Sequence, residues 1–257
     1  MSKFFVKNEQ ISNNEITIIG TDVNHIINVL RMKIGDEINI CNSDLKENYI
    51  AEIVEVNQEN TSTIKCFIRE KLEKSSESNV NIHIFQGIPK ADKMELIIEK
   101  NVEVGVSEIT PVEMKRCIAK IKDLKKIERW QKIAEVAAKQ SRRDIIPRIN
   151  LPINIKNICN LVKDYDIVLL AYEEEKNITL KQELIKVKEQ NKDINIGIII
   201  GPEGGMEKEE VEELQKAGAK IITLGSRILR TETARTGNEC KYNIWIRTVG
   251  EGFHTRP

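Results

Sequence analysis

Three nearly continuous apolar runs in the second half of the chain limit its fold more than any other feature. They lie at residues 166–171, 195–200 and 219–224. Strands this apolar are buried on both faces, which is typical of a parallel sheet covered by helices. Helical periodicity alternates with such runs, at 92–104, 127–139 and 207–217. The sequence therefore predicts an α/β domain with a parallel sheet and helices on both faces.

The N-terminal part of the chain has a different pattern. Short alternating runs separated by turn signals, at 15–19, 37–40, 49–56 and 61–69, predict a small β-barrel or sandwich. The polar stretch at 73–79 has no apolar residue and predicts a linker. We therefore expect a β domain at 1–72, a linker at 73–79 and the α/β domain at 80–234.

Composition limits the class of protein. Hydrophobic residues make up 40% of the chain, and no apolar run approaches the roughly 18 residues of a membrane span. The polar start of the sequence lacks a secretory apolar region, which predicts a cytoplasmic location. The five cysteines are scattered without CxxC spacing and predict reduced thiols. No metal is expected, because His25, His83 and His254 are too isolated to form a ligand set.

The distribution of charge is uneven although the net charge is zero. Between Glu113 and Arg148 there are twelve Lys or Arg residues against five Asp or Glu residues. Such an excess attracts phosphate backbones, but a solvated lysine-rich helix face gives the same pattern. Charge alone leaves nucleic-acid binding open.

The turns after the apolar runs are candidate ligand-binding loops, because ligands of open α/β sheets bind beyond the carboxyl ends of the strands. Gly201, Gly204 and Gly205 follow the second run, and glycine permits both positive φ and close approach of a ligand to the backbone. Neither a P-loop Lys-Ser/Thr pair nor a G-x-G-x-x-G pattern accompanies them. A purely structural strand-to-helix turn remains the alternative.

Two of these regions resemble a known family. IIIGPEGGMEKEEVEEL and LGSRILRTETA are similar to the signature of the RsmE family, in the SPOUT superfamily of methyltransferases. GIPKADKMELIIEKNVEVGVSEITP and RWQKIAEVAAKQSRRDIIPRINLP resemble its first strand–helix–strand and second helix, and HIINVLRMKIGDEI resembles its PUA-like domain. The resemblance implies a SPOUT-type trefoil-knotted sheet preceded by a PUA-like β-barrel. It also implies a homodimer that methylates N3 of one uridine in 16S (small-subunit) ribosomal RNA.

The resemblance further implies three knot loops that bind S-adenosylmethionine. The implied cofactor-binding positions are Leu170, Ala171, Tyr172, Glu173, Ile200, Gly201, Glu203, Gly204, Gly205, Leu224, Gly225, Ile228, Leu229, Arg230 and Thr233. Uridine N3 carries a weakly acidic proton, so the enzyme must assist proton loss or stabilise the charge left on O2 and O4. Arg230 and Glu232 are the catalytic candidates for these roles, with Glu203 as a third possibility.

Basic residues at matching or neighbouring positions are the predicted RNA contacts. They are Arg31, Lys33, Lys90, Lys93, Arg116, Arg142 and Arg143. Arg143 fits the family motif directly, whereas Arg142 stands where the family usually has glycine. Phosphate contacts of this kind position an RNA substrate.

The chain departs from the family after Ala234. Residues 235–257 form an atypical tail where the family has an Ala/Leu-rich helix. Two alternatives stay open. One is the same enzyme class acting on tRNA or large-subunit ribosomal RNA. The other, which the tail favours, is a non-catalytic RNA-binding factor.

Overall fold

A computed structural model of the protein describes residues 3–57, 62–73, 75, 77–121, 123–187 and 194–223. The chain divides into two compact units. The small unit combines the residues up to Glu77 with Ala138–Ile146, and the large unit combines Ser78–Ala137 with the residues from Pro147 onward. The predicted domain boundaries do not foresee that residues 138–146 group with the N-terminal part of the chain.

A six-stranded sheet forms most of the small unit. Its strands are β1 (Lys3–Val6), β2 (Ile11–Ser12), β3 (Glu15–Ile19), β4 (Glu37–Asn42), β5 (Glu47–Asn57) and β6 (Thr63–Leu72). Their order is β1-β4-β5-β6-β3-β2, with β1 parallel to β4 and the other described pairs antiparallel. Alternate residues such as Ile38 and Ile40 are at most 1% exposed. This period of two builds the core of the unit.

A short helical segment covers part of that core. It begins as helix α1 (Thr21–Asn24) and continues as a π-helical turn over His25–Val29. Val23 and Ile26 point into the core of the small unit and are almost fully buried. The next residues, up to the start of β4, lie mostly on the surface.

Buried polar contacts hold residues 138–146 in the small unit. Arg143 donates hydrogen bonds to the Glu77 carboxylate, and Lys139 pairs with Asp22 at 2.7 Å. Asp144, which is 1% exposed, accepts hydrogen bonds from Lys3 and from the Ser75 hydroxyl. Part of the predicted 73–79 linker is thus bonded into the small unit.

The large unit contains a seven-stranded sheet. Its strands are β7 (Val80–Gly87), β8 (Glu108–Glu113), β9 (Arg148–Ile149), β10 (Ile153–Asn154), β11 (Ile167–Ala171), β12 (Ile194–Ile200) and β13 (Lys220–Ile222). The order is β10-β8-β7-β12-β11-β13, with β9 beside β8, and every recorded pair is parallel. The predicted parallel sheet is confirmed.

Helices connect the strands of this sheet. They are α2 (Lys93–Glu103), α3 (Lys125–Ser141), α4 (Ile155–Leu161), α5 (Leu180–Val187) and α6 (Lys208–Lys216). Ile198 and Ile199 are neighbours on β12 and are 2% and 0% exposed. Because neighbouring residues on a strand point to opposite faces, both faces of the sheet are covered there. On one face, Ile158 of α4 and Leu214 of α6 pack into the core with Ile199.

A glycine follows the end of two of these helices. Gly105 follows α2 with φ +103°, and Gly218 follows α6 with φ +112°. Glycine adopts this left-handed conformation without the strain that a Cβ atom brings. Gly105 and Gly218 thus follow the ends of α2 and α6 in a conformation that favours glycine. Within the described ranges, no helix is both long and apolar enough to span a membrane.

Candidate functional site

Two of the three predicted cofactor loops leave the same edge of the large sheet. Ala171 at the end of β11 lies opposite Ile200 at the end of β12, and Ile200 lies opposite Gln86 on β7. The loops at 170–173 and 200–205 therefore begin side by side at the carboxyl ends of parallel strands, where this class of sheet binds ligands. The backbone N–H of Tyr172 also donates to Ile222 of β13, at 3.1 Å.

The remaining predicted site residues lie outside the described part of the chain. They are Leu224, Gly225, Ile228, Leu229, Arg230, Glu232 and Thr233. The third predicted loop and both catalytic candidates belong to this group. Since that loop would complete the trefoil knot, the knot also stays a prediction.

Glycines give the 200–205 loop its shape. Gly205 has φ +72°, and its N–H closes a turn onto the carbonyl of Pro202 at 3.0 Å. A Cβ atom on Gly201 would lie 3.1 Å from Met206 Cγ, and one on Gly205 would lie 3.1 Å from Glu173 Oε1. The backbone of the loop therefore passes close to Glu173, one of the predicted cofactor residues. A ligand held through backbone groups fits this cradle.

Arg116 fastens this loop to the segment that follows β8. Its Nη1 donates to the carbonyl of Gly204 at 2.9 Å. Its Nε and Nη2 donate to the two carboxylate oxygens of Glu207, at 2.9 and 3.2 Å. Glu207 is the N-cap of α6 and shares a capping box with Glu210. The sequence predicts Arg116 as an RNA contact but does not indicate its hydrogen bonds to the 200–205 loop and to Glu207.

Glu203 is bonded to the start of α2. Its carboxylate accepts from the backbone N–H of Lys90 and from the Lys93 ammonium, which lies 3.2 Å away. Burial raises the pKa of Glu203, but the N–H of Glu203 itself, Lys93 and Lys90 outweigh burial and lower it overall. Glu203 is therefore an ionised anchor for the loop. A carboxylate bonded in this way is a weak base, so the geometry disfavours the catalytic role considered for it.

Gln86 is a residue of this edge that sequence reasoning missed. Its side chain is fully buried, and its Nε2 donates to the Gly87 carbonyl at 2.7 Å. Within the described part of the chain, its Oε1 has no hydrogen-bond partner. A single buried glutamine in an apolar strand carries no sequence signal that separates it from a structural polar residue.

The predicted RNA contacts are divided between the two units. Arg31 and Lys33 are exposed residues of the small unit, and Arg31 has φ +56°. Lys90 is exposed in the large unit, and Arg142 is exposed with φ +58° in the small unit. Lys93 and Arg116 contact the 200–205 loop through Glu203 and Gly204.

Arg143 is placed inside the protein. It is 4% exposed, and its guanidinium donates to the Glu77 carboxylate at 2.6 and 3.2 Å. A side chain held there cannot reach an RNA phosphate in solvent, so its burial argues against the RNA contact predicted for Arg143. The match to the family motif does not distinguish a buried ion pair from an RNA contact.

Acidic residues from elsewhere in the chain offset part of the basic excess at 113–148. At least five of its twelve basic residues pair with such acids in the described part of the protein. The pairs are Lys115–Glu209, Arg116–Glu207, Arg129–Glu95, Lys139–Asp22 and Arg143–Glu77. The charge count along the sequence therefore overstates the positive potential of this region.

Two family models match the chain. A family model described as an RNA methyltransferase domain matches residues 76–236. A second model, described as an RNA methyltransferase PUA domain, matches residues 18–65. The expected PUA-like domain followed by a methyltransferase domain is thereby confirmed.

Individual relatives match over nearly their full lengths. The ribosomal RNA small subunit methyltransferase E of Bacillus subtilis (strain 168) is 35% identical over 241 residues, covering 91% of this chain and 93% of the relative. The protein of the same name from Mesomycoplasma hyopneumoniae (strain 232) is 36% identical over 236 residues, covering 91% and 95%. The crystal structure of a ribosomal RNA small subunit methyltransferase E from Neisseria gonorrhoeae bound to S-adenosyl methionine matches with a TM-score of 0.82. The identity is 25%, with 95% of this chain and 98% of that chain covered.

Proposed function

The chain belongs to the family of ribosomal RNA small subunit methyltransferase E proteins, and on that basis we propose that it methylates N3 of one uridine in 16S ribosomal RNA. It is an RNA methyltransferase that uses S-adenosylmethionine and acts on small-subunit ribosomal RNA. The uridine, its N3 position and the residues that carry the reaction belong to the proposal.

The observation that carries the proposal is the meeting of the 170–173 and 200–205 loops at one edge of the parallel sheet. Their strands pair directly, Ala171 with Ile200. Glycines let the backbone of the second loop pass close to Glu173. These residues fit S-adenosylmethionine, because a bent cofactor bound through backbone groups needs a loop without side chains in its way.

When bound, S-adenosylmethionine supplies a methyl group on a positively charged sulfur. Uridine N3 becomes an effective nucleophile once its proton leaves. We assign Arg230 to the negative charge that then develops on O2 and O4, because a fixed cation at such a position stabilises the transition state. We assign Glu232 to removal of the proton or to orientation of Arg230. The target base must also be exposed from its RNA stack before N3 can react.

The partners of the proposal are the small-subunit RNA, free or in the assembled subunit, and a second copy of this chain. Of the predicted RNA contacts, Arg31, Lys33, Lys90 and Arg142 remain candidates because their side chains are exposed. We also place the protein in the cytoplasm, where the ribosomal subunit is assembled.

Two measurements test the proposal. The first is calorimetric titration of the full chain with S-adenosylmethionine, for which we expect saturable binding. The second is incubation of unmodified small subunits with enzyme and cofactor, followed by mass mapping of the RNA. We expect one methylated uridine, at N3.

Each alternative predicts a different result. Methylation of tRNA or large-subunit RNA, with small subunits unmodified, would move the substrate to the first alternative. RNA binding without any heat on titration with S-adenosylmethionine would favour the non-catalytic RNA-binding factor. That outcome would also implicate the atypical tail at 235–257, which follows the predicted third loop.

A further inference from the structure

Arg116 contacts the cofactor loop and the helix after it at the same time. Its guanidinium bonds the Gly204 carbonyl on one side and both oxygens of Glu207 on the other. Glu207 begins α6, so the arginine joins the end of the loop to the start of the next helix. These partners lie 88 and 91 residues away in sequence.

The surroundings of Arg116 extend to the other predicted loop. A Cβ atom on Gly205 would lie 3.6 Å from Arg116 Nη1 and 3.1 Å from Glu173 Oε1. A Cβ atom on Gly204 would lie 3.3 Å from Arg116 Cβ. Both glycines are therefore flanked by Arg116, and Gly205 also by Glu173. The loops at 170–173 and 200–205 meet around this one guanidinium.

The ion pair between Arg116 and Glu207 alone would contribute little to the free energy of unfolding. Arg116 and Glu207 are 43% and 36% exposed, and ion pairs with this exposure contribute little to stability. The three hydrogen bonds of the guanidinium have a second consequence. Because the group is planar and bonds a carboxylate and a carbonyl at once, it fixes the geometry of these two partners relative to each other. We therefore expect Arg116 to act mainly on the conformation of the 200–205 loop.

We propose that Arg116 is a positioning residue for the cofactor, which holds the Gly204 carbonyl and Glu207 so that the 200–205 loop is shaped before S-adenosylmethionine binds. The inference rests on the proposed function, since it takes this loop as the cofactor site. It replaces the RNA contact that the sequence predicts for Arg116.

The test compares Arg116→Ala and Arg116→Lys with wild type. We expect Arg116→Ala to weaken S-adenosylmethionine binding about tenfold, as loss of a charge-assisted contact would. Arg116→Lys should restore part of the affinity, because an ammonium reaches one partner but cannot span both. In kinetics the KM for the cofactor should rise, while kcat at saturating cofactor and the KM for RNA stay unchanged.

Lys115→Ala is the matched control. Lys115 is the preceding residue, carries the same charge and pairs with Glu209 at 3.2 Å on a more exposed surface. We expect it to leave cofactor affinity unchanged. Glu207→Gln provides a second variant, and its effect should not add to that of Arg116→Ala, because Arg116→Ala already removes the charged contact that Glu207→Gln weakens.

The outcomes separate the hypotheses. A raised KM for RNA with unchanged cofactor affinity in Arg116→Ala would make Arg116 an RNA contact and overturn the inference. Equal losses in Arg116→Ala and Lys115→Ala would overturn it too, since they would reflect charge alone. If wild-type protein bound no S-adenosylmethionine, the proposed function would fail and the inference with it. That result is distinct from failure of the Arg116 variants.

Discussion

Gly87 and Pro202 approach each other through their backbones. A Cβ atom on Gly87 would lie 2.6 Å from the backbone nitrogen of Pro202 and 3.0 Å from the carbonyl carbon of Gly201. Gly87 is the last residue of β7, and Pro202 belongs to the predicted cofactor loop after β12. Because backbone atoms cannot rotate away as a side chain can, only glycine fits at the end of β7.

We predict that Gly87→Ala lowers the stability of the protein and weakens cofactor binding. The added methyl group must displace the start of the 200–205 loop or the end of β7. Overpacking of this kind costs about 1–3 kcal/mol of unfolding free energy. Urea denaturation measures the loss of stability, and calorimetry with S-adenosylmethionine measures the weaker binding.

Gly197→Ala is the control for this prediction. Gly197 is also a buried strand glycine, but its Cβ would first meet Val168 Cγ2, at 3.1 Å. That contact is to a side chain and not to backbone, and Gly197 lies away from the carboxyl edge. We expect a smaller effect on cofactor binding, and equal effects of both variants on binding would contradict the close approach at Gly87.

The sheet and the two loops that follow β11 and β12 could be predicted from the sequence because their signals are local. Leu169 and Leu170 are adjacent and both 0% exposed, so a continuous apolar run directly reports a strand covered on both faces. The glycines after Ile200 likewise report a tight loop. Neither signal needs knowledge of distant residues.

The ion pairs could not be predicted, because they depend on residues that only folding brings together. Arg143 and Glu77 are 66 residues apart, and Glu77 lies in a stretch whose composition indicates a linker. Arg116 and Glu207 are likewise far apart in sequence, by 91 residues. A run of charges along the sequence does not reveal which residues are neutralised by such partners.

His83 should make stability depend on pH. Its Nδ1 lies 2.5 Å from Tyr165 Oη and its Nε2 lies 2.7 Å from Thr110 Oγ1. Burial lowers the pKa of His83 from 6.5 to about 4, although the Glu108 carboxylate acts in the opposite direction. The unfolded chain therefore takes up a proton at higher pH than the folded protein. Stability should fall between pH 6.5 and 4, by about 3 kcal/mol from this group.

Denaturation at several pH values in wild type and His83→Gln isolates this contribution. Glutamine can both donate and accept hydrogen bonds but does not titrate. Carboxylates such as Glu203 and Glu207, whose pKa values are lowered, remain in both proteins. The variant should lose less stability than wild type over the same interval, whereas parallel curves would contradict the prediction.

Arg143→Ala should strongly destabilise the protein. The Arg143 and Glu77 side chains are only 5% and 18% exposed, and removal of one partner leaves a largely buried charge unpaired. We expect a loss of about 3–5 kcal/mol. Lys71→Ala is the contrast, since the pair of Lys71 and Glu47 is 58% and 29% exposed and should contribute less than about 1 kcal/mol. A mild effect of Arg143→Ala on unfolding, accompanied by weaker RNA binding, would restore Arg143 as an RNA contact.

Arg142→Gly should stabilise the protein. Arg142 has φ +58°, a conformation that costs a residue with a Cβ atom roughly 1–2 kcal/mol. Glycine avoids that strain but loses more entropy on folding, by roughly 0.5–1 kcal/mol. The net expectation is a rise of about 0.5–1 kcal/mol in unfolding free energy, measured by urea denaturation.

Arg142→Ala separates the backbone effect from the side chain, because alanine removes the guanidinium but keeps the strained φ. It should give no such gain, and an equal rise in both variants would assign the effect to the side chain. The same two proteins also test Arg142 as an RNA contact. If its guanidinium binds phosphate, glycine and alanine should weaken RNA binding alike, even though only glycine stabilises the fold. A glycine in place of Arg142 would then favour folding at the expense of RNA affinity.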